Sequence, residues 1–458
     1  MQRIILALLL VSPAWGATYC VKAGGTTPAG CTSAYTTIAL AKAAVIAVEG
    51  HTDFVATETI LVYDSDTPYA PIGDTYAPSW PNKLAPTATH PLIIQAAPGN
   101  SPVIDCGGRG GTTDVITLSS PYITLSGFEL QNCRYAVNLG AGATYSTVDH
   151  NKIHDMGGYA ALYGTPDHLS AHHNTIYSVL RGIVLGGYSE VSFNEISAST
   201  AGNLITSGTV GNNRIHDNIL YNAYAANGSG VQTGQSDVVY DNVSYTNRYG
   251  IQSQIITAPG PIFQRNIAVN NAYSCHCEGG SNPCFVTMDR NFCYRSTLGQ
   301  ALRENSGSST PGAVWTNNIA WGNSVNSLDK PIFVSALVQI LYSNRNVFVK
   351  TGTMNTALQG TGNVQYATLT AWQATGFDAD SIEGQNPRLV GDPNLLVTTA
   401  QICPSPACTT IEQRLAFIRR NYAPTNLALK GRASDGSDPG PVPITIYNAP
   451  GITGGGVY

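Results

Sequence analysis

The amino-acid sequence predicts an all-β fold, a β-solenoid with an N-terminal capping helix and an irregular C-terminal tail. The first observation behind this is a file of asparagines. Asn151, Asn174, Asn194, Asn218, Asn242, Asn266, Asn291, Asn318 and Asn346 lie 23, 20, 24, 24, 24, 25, 27 and 28 residues apart. A period in the twenties marks stacked coils. The second is an apolar residue one or two places beyond each asparagine, from Ile153, Ile176 and Ile196 to Val347. Short alternating stretches of this kind are strands rather than helices. The third is chemical: amide side chains repeated at strand spacing can hydrogen-bond into a ladder.

Composition agrees. Charged residues make up 11% of the 458 and hydrophobic residues 43%, enough for a long core. Length alone would suggest about three domains, but the internal repeat outweighs that prior. A net charge of -5 and a pI near 6.0 speak against a nucleic-acid partner, which needs a basic footprint. An anionic partner would have to be met by local positive charge.

Taken in order, residues 1–16 read as a secretory signal: Arg3, an apolar Ile4–Val11, then small residues at Ala14 and Gly16. No later run of about 18 apolar residues could span a bilayer. The expectation is a secreted monomer, extracellular or periplasmic. Ten cysteines in such a chain read as disulfides. Cys20–Cys31 would staple the start and Cys403–Cys408 would close a small loop. Cys106 and Cys133, 27 apart, would sit on neighbouring rungs. Cys275, Cys277, Cys284 and Cys293 beside His276 imitate a zinc site, but the context favours two disulfides.

Residues 17–91 form an N-terminal cap and a Pro-rich excursion. The stretch 36–49 is helical, ended by Gly50, and suits the open end of a solenoid, whose core and strand edges need cover. Coils then run over 92–350. Each has a second strand led by glycine, as in Arg181-Gly-Ile-Val-Leu, Ser229-Gly-Val-Gln-Thr and Tyr249-Gly-Ile-Gln-Ser. Alternation turns Ile183, Val231 and Ile251 inward and Asn138, Gln232 and Gln252 outward. The tail, 351–458, is aperiodic; it holds a helix after Thr410, with Gln413 completing a capping box. It either folds back along the solenoid or caps its far end.

Several stretches carry a resemblance. Tyr19-Cys-Val-Lys-Ala-Gly-Gly, the run 92–105, the twin motifs Asn151-Lys-Ile-His-Asp and Asn213-Arg-Ile-His-Asp, and Leu369-Thr-Ala-Trp-Gln-Ala-Thr-Gly-Phe-Asp resemble secreted right-handed parallel β-helix proteins of the pectate-lyase-like superfamily. The resemblance implies that fold over most of the chain, with a groove along the glycine-led strands. It does not name a reaction, because the superfamily includes lyases, glycosidases, epimerases and non-catalytic proteins. Tyr163-Gly-Thr-Pro-Asp-His168 loosely resembles the Tyr-Gly-x-Asp-Pro-His motif of alginate C5-epimerases, with Pro and Asp exchanged.

Two faces compete for the site. On the glycine-led face, Arg134, Arg181 and Arg248 precede the inward residue of their coils, with Arg295 and Arg303 later. Guanidinium forks match carboxylates. With Gln232, Gln252 and Asp167 they would bind an acidic, uronic-acid-containing polysaccharide. Elimination needs the carboxylate neutralised, a base for the C5 proton and an acid for the leaving oxygen. Arg181, His168 and Tyr163 would fill those roles in that order. The second face flanks the asparagines. It sets Lys152, Thr175, Glu195 and Arg214 in one column and His154, Tyr177, Ser197 and His216 in another, with a slip in phase near 213–218.

The expected activity is a polysaccharide lyase. A glycoside hydrolase or uronan C5-epimerase is the alternative on the same fold, and a non-catalytic glycan-binding or envelope protein the third reading. A hydrolase would need two carboxyls roughly 5–9.5 Å apart, drawn from Asp155, Asp167, Glu190 and Asp237. Calcium could be held by turn aspartates, though no dense aspartate motif fixes a site.

Overall fold

The computed structural model describes residues 16–441, apart from 25–26, 50–53, 75–85, 109–111, 198–201, 209–210, 224–227, 295–299, 323–329, 351–355, 360–363, 385–386 and 390–407. Three sheets of 14, 12 and 13 strands, here A, B and C, run the length of the molecule. Successive strands along the chain belong to sheets A, B and C in turn. Each then pairs in parallel with the strand one coil later, which makes a parallel β-solenoid.

Most strands are three residues long, with one or two side chains directed into the core. In sheet A the inward file reads Leu125, Val148, Ala171, Val191, Ile215 and Val239, all fully buried. Removing such apolar surface from water is the main stabilising term. The chain must then turn sharply after every strand. At the corner from A to B the residue before each ladder asparagine adopts φ of 52–58°, including His150, His173, Phe193, Asp217 and Arg265. That left-handed conformation is unfavourable for side chains other than glycine, and the ladder beside it holds it in place.

The ladder is complete. From Asn151 to Asn318 each Nδ2 donates to the next asparagine's Oδ1 at 2.9–3.2 Å. Each backbone N–H donates to the same oxygen. The second amide hydrogen goes to a strand carbonyl, so these buried amides are satisfied on all sides. The far end is closed by the quoted stretch 369–378. Asn346 donates to Asp378 Oδ1 at 2.8 Å, and Asp378 Oδ2 accepts from the buried indole of Trp372, also at 2.8 Å.

At the near end the helix Ile38–Glu49 buries Ile38, Ala41 and Val45, as its apolar spacing requires. The coil register begins before residue 92. Thr18–Val21 and Glu58–Val62 are parallel members of sheet A, and within the Pro-rich excursion Gly73–Asp74 starts sheet C. The bridges Cys20–Cys31, Cys106–Cys133, Cys275–Cys293 and Cys277–Cys284 are formed, so the zinc imitation is two disulfides. Cys408 is disulfide-bonded; Cys403 lies outside the described residues, as does the expected signal up to residue 15. Among the described residues no helix is long and apolar enough to cross a membrane.

The tail folds back along the solenoid. Thr410 caps the helix Ile411–Asn421 with the expected Gln413 box. Ile411, Leu415, Ile418 and Tyr422 pack on outward apolar residues of sheet B: Ile219, Val243, Ile267, Phe292 and Ile319. Arg414 pairs with Glu195, and Arg419 with Asp217.

Candidate active site

The outward face of sheet C gathers most of the predicted site. Register places Asn138 beside Tyr163, and later Thr206, Gln232, Gln252, His276 and Arg303 in one file. Tyr163 is 37% exposed; it stacks on Tyr135 at 4.8 Å and meets Tyr159 edge-on at 5.5 Å. The Arg181 guanidinium lies 3.9 Å above the Tyr159 ring. Tyr163 and Arg181 therefore share one aromatic cluster, bridged by Tyr159.

The arginines divide into two kinds. Arg134 is spent internally: Nε and Nη2 both reach Asp114 at 2.7 Å, and Asn138 donates to the same carboxylate. Its pKa is raised, chiefly by that hydrogen-bonded pair. Arg181, Arg248 and Arg303 instead lie over Tyr159, Tyr249 and Tyr273, and make no ion pair with any described residue. A tyrosine face holds a guanidinium without using its in-plane donors. Three such forks on one sheet can still take carboxylates. Arg295 lies outside the described residues.

His168 is placed differently from its expected partners. It occupies the corner from C to A at φ 62°, exposed, with its ring stacked between Tyr145 at 4.4 Å and Tyr188 at 5.4 Å. Tyr145, Tyr159, Tyr163 and Tyr188 are 37–54% exposed, and of the remaining tyrosines only Tyr342 is comparably open among the described residues. Large rings left in water over one patch mark a contact surface. Asp167 has a structural duty, accepting the Gly187 N–H at 2.9 Å.

The sequence reading missed the polar knot farther along this face. His276 is fully buried, stacked on Tyr249 at 4.8 Å. Glu278 Oε2 lies 3.0 Å from its Nε2, out of line for a hydrogen bond. Burial lowers the His276 pKa to about 4, Glu278 offsetting only part of that, so the ring is neutral near pH 7. Glu278 is anchored by Asn305 at 2.8 Å. Continuing the Gln232–Gln252 spacing by one coil reaches His276, a signal hidden by the flanking cysteines.

The asparagine-flanking face requires correction. Lys152, Thr175 and Glu195 do share a column of sheet B, but Arg214 belongs to sheet A and pairs in register with Glu190. His154 and Tyr177 stack at 4.8 Å on sheet B, whereas His216 is on sheet A beside Ser192 and stacks on Tyr240. The twin motifs thus occupy different corners. Asn151 is a ladder residue, while Asn213 donates to Asp237 Oδ1 at 3.1 Å in a separate short file. Both motifs still build the same clamp. His154 bridges Asp155 and Glu129, each at 2.8 Å; His216 bridges Asp217 at 2.7 Å and Glu190 at 3.0 Å. From Ile219 onward sheet B is apolar and lies under the tail helix.

The four carboxylates considered for hydrolysis do not face one another. Asp155 and Glu190 hold histidines, Asp167 caps a turn, and Asp237 is buried under the Gly234 and Asn213 N–H groups. These aspartates are dispersed and committed, so they do not fit a calcium site. The only set of three or more ligand types close enough for a metal, among the described residues, is His150, His172 and His173.

No protein-family model matches the chain, and no curated protein matches it. Solved structures do. An alginate lyase from Paenibacillus sp. str. FPU-7 is 14% identical with TM-score 0.45, over 55% of this chain and 91% of that one. XylC in complex with xylose is 10% identical with TM-score 0.49, covering 82% and 87%. The pectate lyase Pel9A is 13% identical with TM-score 0.40, covering 94% and 98%. At such identities the architecture rests on the strand register itself.

Proposed function

We propose that the chain is a secreted enzyme that binds an acidic polysaccharide along sheet C and cleaves it by β-elimination. The observation that carries this reading is the Arg181–Tyr159–Tyr163 cluster: an arginine without a carboxylate partner among the described residues, against exposed tyrosines. Tyrosine faces suit the apolar faces of sugar rings, and the free fork suits a uronate. Sheet B is occupied by the chain's own tail, so sheet C is the long polar face left for a polymer.

In the step itself, Arg181 neutralises the uronate carboxylate and acidifies the C5 proton. His168 takes that proton, the electron pair forms the C4–C5 double bond, and the C4–O bond breaks. Tyr163 delivers a proton to the departing oxygen, so the charge balances. Arg248, Arg303, Gln232 and Gln252 extend the binding face along the polymer.

Arg181→Ala and Tyr163→Phe test the assignment. Loss of one general acid or base is worth about 10²–10⁴-fold. Tyr163→Phe should therefore lower kcat by that order with KM little changed, while Arg181→Ala should lower kcat/KM. Full activity in both variants would overturn it.

A further inference from the structure

We infer that His150, His172 and His173 form a binding site for a divalent transition metal of the zinc type, tying the tail helix to the solenoid. The site lies on the corner from A to B, away from the polymer face proposed above, and stands independently of that reading.

One ring nitrogen from each of the three histidines lies within 4.8 Å of the others. His172 Nδ1 and His173 Nδ1 face each other at 3.0 Å. Two imidazole nitrogens cannot meet so closely as two lone pairs or as two N–H groups. Either one proton lies between them or a cation does. Two nitrogens bound to one tetrahedral zinc at about 2.0–2.1 Å would sit roughly 3.3 Å apart, close to what is seen. His150 stacks on His173 with ring centroids 4.7 Å apart and planes within 2°. The solenoid repeat produces this stacking, because both residues precede a ladder asparagine on consecutive coils.

The surroundings match a metal's second shell. Asp149 Oδ2 lies 2.8 Å from His150 Nδ1, and Glu412 Oε1 lies 2.6 Å from His173 Nε2. A carboxylate on the far nitrogen of a ligating imidazole fixes its tautomer and strengthens the ligand. With Glu412 accepting from Nε2, the lone pair of His173 is left on Nδ1, the nitrogen turned toward His172. Asp149 Oδ1 is buried without a hydrogen-bond partner, a further oxygen beside the cluster. Imidazole-rich donors select zinc, copper or nickel over calcium and magnesium. His150 is exposed, which gives the ion a way in.

Glu412 belongs to the first turn of the tail helix, so an ion at His173 would couple that helix to coils more than two hundred residues earlier. The test is isothermal titration of the untagged, chelator-treated full chain with Zn²⁺, with Ca²⁺ as control, and thermal melting alongside. One equivalent of Zn²⁺ should bind and raise the Tm, and Ca²⁺ should do neither. His172→Ala should abolish binding, and Glu412→Gln should weaken it by about 10-fold while leaving stoichiometry unchanged. His172→Asn serves if the alanine variant does not fold. Failure of the folded chain to bind Zn²⁺, or undiminished binding in the His172 variants, would overturn the proposal.

Discussion

Glu304 is a buried carboxylate pointing into the core, and replacing it with glutamine should stabilise the protein by an amount that depends on pH. Its strand alternates Leu302, Glu304 and Ser306 inward, so the carboxylate shares an inward file with Cys277 and Val334. The Ser335 N–H reaches Oε2 at 3.3 Å, while Oε1 has no hydrogen-bond partner. Burial raises its pKa from 4.5 to about 7, outweighing the Ser306 and Ser335 hydrogen bonds. The folded state therefore keeps a proton that the unfolded state releases near pH 4.5. Stability contributed by the neutral form is present below pH 4.5 and is lost as pH rises through about 7. A shift of about 2.5 units, at about 1.4 kcal/mol each, gives roughly 3 kcal/mol. Glu304→Gln keeps the shape and removes the charge. The assay is urea unfolding of both forms near pH 4, 6 and 8, comparing differences so that other groups cancel. The variant should match the parent at the lowest pH and exceed it by about 3 kcal/mol at the highest. A difference that does not change with pH, or a variant less stable at the highest pH, would refute the reasoning.

Three further outcomes follow from the same structure. Asn242→Ala removes an amide that donates to Ile215 O, Tyr240 O and Asn266 and accepts from Asn218; it should cost about 3 kcal/mol or more in urea unfolding. Ile418→Ala should cost about 2–5 kcal/mol and expose the tail helix to limited proteolysis, because Ile418 is fully buried on sheet B. At His216 burial lowers the pKa, but hydrogen bonds to Asp217 and Glu190 outweigh it and the net shift is upward. Its contribution to stability is full below about pH 6.5 and fades as pH rises through the higher folded value. Glu190→Gln should move the NMR titration midpoint of His216 downward.

Much of the architecture was legible because it is periodic. The asparagines announced the ladder, and every one of the nine takes part in it. Thr410 and Gln413 announced the tail helix. The phase slip near residue 213 was harder to read: the two Asn-x-Ile-His-Asp motifs are nearly identical in sequence, yet the second lies one corner earlier in its coil. Only the pairing of Asn218 with Asn242 distinguishes them. The destination of the tail was hidden for a different reason. Ile219, Val243 and Ile267 read as ordinary inward residues, although they face outward beneath Ile411 and Ile418. Within the site, the grouping of Arg181 with Tyr163 runs through Tyr159, whose exposed ring no spacing rule singles out. The pairing of Arg134 with Asp114 spans 20 residues and depends on a side-chain geometry that the repeat does not encode.

The central claim is that the uncovered face of sheet C eliminates across a uronate linkage. Its most direct test is incubation of the purified chain with pectate, alginate and glycosaminoglycans, following ultraviolet absorbance of the unsaturated uronate together with reducing ends. The account predicts that both signals rise together on one of these polymers, and that Arg181→Ala suppresses both. Reducing ends appearing without the ultraviolet signal would contradict it and point to hydrolysis instead.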